Sequence, residues 1–276
     1  MIVVVATRDE VVGVRARLDD LGVGAIRVVE PSADRRLLLA SVDGESAAEH
    51  LAATLRAEGR IAVTRPDDGP RLDGWMRHTL PVTFGDRLSV CFAWCEHDRG
   101  ALSGVIELGL GGFGNGGHAT TRLLIEQLMA RIRGGERVLD VGCGSGVLAL
   151  SAVRLGASLV AAVDNQADAV EATRRNAALN GMNDRIDATI AALEEFEGTF
   201  DVVVANIGRA AIVELAPQLT RLLSPNGWLA VSGFSPPVCS LVAEFLRSLE
   251  ELERHTSGDW SALVLGGVDR RAQEPT

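Results

Sequence analysis

The chain has 276 residues and a mass of 29.2 kDa, room for about two domains at ~100–200 residues each. Its net charge of −10 argues against a grip on DNA by phosphate neutralisation. No apolar run nears the ~20 residues of a membrane span, and MIVVVATRDEVVG at the N-terminus lacks the basic region of a secretory signal. The expectation is a cytoplasmic protein with no membrane or nucleic-acid partner.

Residues 1–66 carry 9 Arg against 10 acids, and residues 67–276 carry 18 Arg against 27. The acidic excess of the larger part reads first as a solvated surface. Four cysteines show no metal-ligand spacing: Cys91 and Cys95 form CxxxC, and Cys143 and Cys239 are remote. They are expected to be reduced structural thiols, with no metal site, and His97 and Glu96 to be surface groups.

In chain order, Ile2–Thr7 is a β-branched run and hence a strand. Arg8–Leu21 is a helix, with Val11, Val12, Val14, Leu18 and Leu21 inward. A hairpin follows, from extended residues 25–29 through a turn at 31–34 to Leu37–Val42. Ser46–Ala57 is a helix with Ala47, Leu51 and Leu55 inward, and Arg60–Thr64 is a strand. The order β-α-β-β-α-β is the ferredoxin-like arrangement. Two Pro and several Asp in RPDDGPRLDG make residues 67–74 a linker.

Leu80–Phe84 and Arg87–Trp94 read as strands around Gly85-Asp86, and Val105–Leu108 as a third. Strands then alternate with helices. Strands are expected at Arg137–Val141, Leu159–Asp164, Ile186–Ile190, Phe200–Asn206 and Trp228–Gly233. Helices are expected at Arg122–Arg131, Val147–Arg154, Ala167–Asn180, Ala211–Leu223 and Val238–Leu249. Leu252–Thr256 and Trp260–Leu265 should be terminal strands, and 268–276 a disordered tail. This is an α/β pattern with a mostly parallel sheet covered on both faces.

The sharpest chemical signal is VLDVGCGSGV over Val138–Val147. A buried strand runs into Gly142, Gly144 and Gly146 and then into a helix, so the backbone can turn tightly and approach a ligand. Asp140 lies two residues before the first glycine. A carboxylate there would repel a pyrophosphate but suit the cationic end of S-adenosylmethionine. Asp164, at the end of the next strand, can accept hydrogen bonds from ribose hydroxyls, or simply cap the following helix. Asn206 ends a central strand and offers both donor and acceptor to the crevice; with nearby backbone carbonyls it could orient a methyl acceptor. Asn176 and Asn180 read as surface or cap residues. Upstream, the glycine-rich run over residues 109–121 reads as a loop feeding a helix near Thr121–Arg122. Thr120 and Thr121 could cap that helix or fold over a ligand, and His118 alone points to no role.

These residues together resemble the methyltransferases of the eleventh large-subunit ribosomal protein, the PrmA family of class I S-adenosylmethionine-dependent enzymes. FGNGGHATT (113–121) is similar to that family's glycine loop. Further matches are Trp75, DVGCGSGVLAL (140–150), NAALNG (176–181), VVVANI (202–207), ELAP (214–217) and GDWSALVLGG (258–267). The resemblance implies a Rossmann-like methyltransferase domain at 75–267 behind a ferredoxin-like substrate domain at 1–66. It implies that Thr121, Gly142, Asp164 and Asn206 bind the cofactor, and the loop and glycine-strand readings add Phe113, Gly114, Asp140, Gly144 and Gly146 to the expected site. It further implies S-adenosylmethionine as cofactor and amino groups of the ribosomal protein as acceptor. Two departures stand out: Asn115 in place of the loop threonine, and one extra residue between Glu107 and Phe113. The alternatives are a methyltransferase of this build acting on another protein or a small molecule, and, weakest, a nicotinamide-dependent oxidoreductase.

Overall fold

The structure is a computed structural model that describes residues 1–23, 26–29, 35–42, 44–64, 81–93, 104–109, 114 and 116–266. The expected linker, hairpin turn and C-terminal tail, with Trp75, Cys95, Glu96, His97 and Asn115, lie outside the described residues. The chain forms two compact units, Met1–Gly111 and Gly112–Thr276.

In the first unit β1 (Ile2–Thr7), α1 (Val11–Asp20), β2 (Ile26–Val29), β3 (Arg35–Ala40), α2 (Glu45–Ala57) and β4 (Ile61–Thr64) follow in the ferredoxin-like order. Their antiparallel sheet runs β2-β3-β1-β4. Alternation along the strands sends Ile2, Val4, Leu38 and Ala40 to one face, where Val14 and Leu18 of α1 and Ala48, Ala52 and Leu55 of α2 pack on them. The opposite face carries Val3, Val5, Leu37 and Leu39, which are buried as well. Two helix details correct the sequence reading. Val12 is 79% exposed, and Ala47 points outward while Ala48 and Ala52 point in. An alanine-rich helix offers more than one apolar stripe, and the sheet selects which one is buried.

Three further strands belong to this unit: β5 (Val82–Phe84), β6 (Leu88–Phe92) and β7 (Val105–Leu108). The first two pair antiparallel, and β6 pairs with β7 in parallel.

The second unit is a seven-stranded sheet. Its strands are β8 (Arg137–Val141), β9 (Leu159–Val163), β10 (Ile186–Thr189), β11 (Phe200–Asn206), β12 (Leu223–Phe234), β13 (Glu250–Ser257) and β14 (Trp260–Gly266). The spatial order is β10-β9-β8-β11-β12-β14-β13. Pairing is parallel from β10 through β12, and β14 runs against both of its neighbours. The helices are α3 (Ala119–Arg131), α4 (Val147–Leu155), α5 (Ala167–Leu179), α6 (Arg209–Leu222) and α7 (Cys239–Phe245). This is an α/β fold with a mostly parallel sheet. Leu139, Val141, Val203, Ala205, Leu229 and Val231 face α6 and α7 in one continuous core. Chain order leaves β8 in two directions, toward β9 and β10 on one side and toward β11 and β12 on the other. Open α/β sheets bind ligands at such a switch point, beyond the carboxyl ends of the strands.

Candidate functional site

The ends of β8 and β11 meet at that switch point, and a cavity of about 590 Å³ opens over them. Such a volume is typical of a small-molecule site. Of the residues singled out in the sequence, Gly114, Thr121, Gly142, Gly144, Asp164 and Asn206 line it. Phe113 lies outside the described residues.

Asp140 and Gly146 are not on the cavity wall. Strand alternation turns Asp140 away from the α6 face and under α4. There its Oδ2 accepts the Ala149 amide at 3.1 Å, and the residue is fully buried. It thereby supplies the cap that Gly146, at the N-cap of α4, has no side chain to make. Burial pushes the Asp140 carboxyl up to about 7, further raised by the charge of Asp164, against the lowering effect of the Ala149 amide. Gly146 serves close packing. A Cβ there would stand 2.8 Å from Thr173 Cγ2 on α5.

The glycine loop spends its amides inside the protein. Gly142 and Cys143 donate to the Val163 carbonyl at 2.8 and 3.0 Å, and Gly144 donates to Asp164 Oδ2 at 3.0 Å. Asp164 Oδ1 also accepts the Gln166 amide at 3.0 Å, while Gln166 itself is the N-cap of α5 and has no side-chain cap bond. The carboxylate therefore closes an Asx-type turn and braces the loop instead of capping the helix. It is half-buried on the cavity wall.

Across the crevice, α3 begins at Ala119, earlier than the sequence reading placed it. Thr120 and Thr121 are thus buried in its first turn, behind His118 as N-cap. Thr121 Oγ1 accepts from Asn206 Nδ2 at 3.0 Å, joining two residues 85 positions apart. The next residue, Ile207, is pinched from both neighbouring strand ends. A Cβ on Gly142 would lie 2.3 Å from Ile207 Cγ2, and one on Gly233 would lie 2.2 Å from the Ile207 carbonyl oxygen. Both glycines have left-handed φ, +77° and +112°. The Ile207 amide donates to the Ser232 carbonyl at 3.1 Å. The Asn206 side chain is thus held by Thr121, and the backbone that follows it by the ends of the two neighbouring strands.

Several wall residues carry no sequence signature. Ile190, Ala191, Ala192, Leu193 and Glu194, after β10, form one side, with Ile190 63% exposed. Asn165, Gln166, Ala211 and Leu215 complete it. Asn176, read as a surface or cap residue, is buried within α5. Its Nδ2 donates to the Ser145 carbonyl at 2.8 Å, because the glycine loop lies across that face of α5. Cys143 also lines the wall, but burial pushes its thiol up to about 12, aided by the charge of Asp140, so it is no nucleophile at neutral pH.

The donor set fits a cationic nucleoside and not a dinucleotide. A pyrophosphate needs free loop amides or basic side chains. The amides of residues 142–144 are committed, and among the described residues no Arg lines the cavity. What the wall offers is the Asp164 and Glu194 carboxylates, backbone carbonyls and apolar surface. That set suits ribose hydroxyls, an aromatic base and a positive charge. Among the described residues no cluster could hold a metal ion, and no helix is long and apolar enough to cross a membrane.

Comparison with known proteins agrees. The family described as "Ribosomal protein L11 methyltransferase (PrmA)" matches residues 37–266. The ribosomal protein L11 methyltransferase of Pelobacter propionicus is 42% identical over 199 residues, 69% of this chain and 64% of that protein. Its counterpart in Vibrio cholerae is 41% identical over 180 residues, 65% of this chain and 61% of that protein. The crystal structure of ribosomal protein L11 methylase from Lactobacillus delbrueckii subsp. bulgaricus superimposes with a TM-score of 0.63 at 30% identity, over 68% of this chain and 98% of that one.

Proposed function

Because the chain belongs to the ribosomal protein L11 methyltransferase family, we propose that it transfers the methyl group of S-adenosylmethionine to amino groups of ribosomal protein L11 in the cytoplasm. The observation that carries the reading is the cavity at the β8/β11 switch point, where Asp164 and Asn206 stand on opposite walls of the glycine loop. The bound cofactor supplies an electrophilic methyl group on a sulfonium, and the protein's part is placement and exclusion of water.

In this reading Asp164 binds the ribose, the wall after β10 covers the base, and the turn at Asn206–Gly208 presents the acceptor amine. An ammonium has no lone pair to attack with and must first lose its proton. A free lysine side chain in water holds that proton up to a pH near ~10.4. An apolar, partly desolvated wall favours the neutral amine, and Asn206 with adjacent carbonyls can orient it without acting as a base. We assign the first unit to recognition of the protein acceptor and the second to the chemistry.

A different acceptor is the second reading. It is favoured by the family match beginning only at residue 37, after β1, α1 and β2. Incubation with radiolabelled S-adenosylmethionine and unmethylated ribosomes should label one protein band at the mobility of L11. Label on a different protein or on a small molecule would move the assignment to this second reading.

A further inference from the structure

The glycine loop rests on a polar face of α5. Thr173 is fully buried there, and Asn176, three residues on and so on the same face, is 2% exposed. Thr173 Oγ1 lies 3.2 Å from the Gly144 carbonyl and 3.2 Å from Cys143 Sγ. Asn176 Nδ2 donates to the next carbonyl along, that of Ser145, at 2.8 Å. Two successive loop carbonyls are therefore drawn down onto one helix face.

We propose that Thr173 and Asn176 are positioning residues for the cofactor: they fix the peptide planes of the loop so that Gly144 meets Asp164 and the carboxylate is preset for the ligand. This rests on the S-adenosylmethionine reading of the cavity. The geometry supports it from both sides of the loop. With the carbonyls of residues 144 and 145 pinned to α5, the Gly144 amide reaches Asp164 Oδ2 at 3.0 Å. The absence of a Cβ at residue 146 lets Thr173 approach this closely, since one would stand 2.8 Å from its methyl carbon. Removing the hydroxyl leaves the half-buried Gly144 carbonyl without that donor, and the loop is then free to rotate toward another partner. The ligand must subsequently reorder the loop, so affinity falls although neither side chain lines the cavity.

The test uses the full chain with Thr173→Val, Thr173→Ser and Asn176→Ala. Calorimetry with S-adenosylmethionine should show at least tenfold weaker binding for Thr173→Val and Asn176→Ala, and recovery to within threefold of the unsubstituted protein for Thr173→Ser. In steady state the loss should sit in KM for the cofactor, with kcat at saturation within twofold. Amide exchange at residues 143–146 should speed up in the two weakened variants while β8 and β9 stay protected. A role confined to stability would lower the melting temperature and leave the affinity and loop exchange of the folded protein unchanged. That result, or an equal loss in Thr173→Ser, overturns the proposal. If Thr173→Val does not fold, Asn176→Ala carries the same expectation for the Ser145 carbonyl. Failure of the unsubstituted chain to bind S-adenosylmethionine would strike the cofactor reading instead, and amide exchange alone would then decide the positioning claim.

Discussion

Asp164 makes two backbone contacts of its own, to Gly144 and Gln166, and on the proposed reading it joins loop order to ligand binding in one side chain. Hydrogen bonds to a charged group contribute about 1.5–3 kcal/mol each. Asp164→Asn keeps an oxygen for one amide but loses the charge, and should weaken S-adenosylmethionine at least tenfold by calorimetry, about 1.4 kcal/mol. Unchanged affinity would reduce the residue to a loop brace. Asp140 is the opposite case, a carboxylate sealed from solvent. Its pKa of about 7 in the folded chain exceeds the ordinary 3.8, so the folded state holds the proton over that interval and the unfolded state does not. Stability from this group is full below about pH 4 and is lost as pH rises to about 7. Asp140→Asn retains an acceptor for the Ala149 amide and cannot ionise. Thermal melts without ligand should therefore show the variant gaining on the wild type between about pH 4 and about pH 7, and a constant difference across that range would refute the linkage.

At the scale of elements, the turn after β11 depends on glycines in its neighbours. Gly233→Ala must place a methyl group against the Ile207 carbonyl at a φ of +112°. Backbone strain and overpacking together cost roughly 2–4 kcal/mol, a fall in melting temperature of roughly 4–16 °C for a unit of this size. Gly258→Ala is the control, because its φ is +57° and nothing lies within 4 Å of the added Cβ. It should cost only about 1 kcal/mol. Similar melting curves for the two variants would show that the turn yields easily. This pinch also marks where the sequence stopped being legible. The strand, glycine loop and helix from Arg137 to Leu155 could be read because glycines between a buried run and a helix have few other uses. Asp164 and Asn206 could be placed because they end strands. The Asn206–Thr121 bond could not, since 85 residues separate the partners and local periodicity carries no long-range pairing. Asn176 misled because an asparagine on a helix ordinarily faces water, and its burial comes from a loop some 30 residues earlier. The wall after β10 has neither glycines nor paired polar residues to announce it.

For the whole molecule, the assignment of recognition to one unit and chemistry to the other has a direct consequence. All described cavity residues belong to Gly112–Thr276. A protein comprising 112–276 should bind S-adenosylmethionine within about threefold of the full chain, under ~0.7 kcal/mol. It should methylate the ribosomal acceptor at no measurable rate, because positioning can supply ~7–11 kcal/mol of a barrier. Full activity in that fragment would place recognition in the second unit. The first unit has a matching constraint. Val3, Val5, Leu37 and Leu39 are buried on the sheet face opposite α1 and α2, and a buried aliphatic side chain contributes about 1.5–3 kcal/mol. Residues 1–66 alone should therefore show no cooperative melt by circular dichroism, and a sharp transition would mean that this face tolerates water. The doubly apolar sheet also governs how such proteins can exchange parts. An open-faced sheet is a cassette, portable between hosts with only its linker to match. One buried on both sides is no cassette: lifting it out at residue 66 puts Val3, Val5, Leu37 and Leu39 at risk of exposure, so hybrids between relatives joined there should melt lower than either parent.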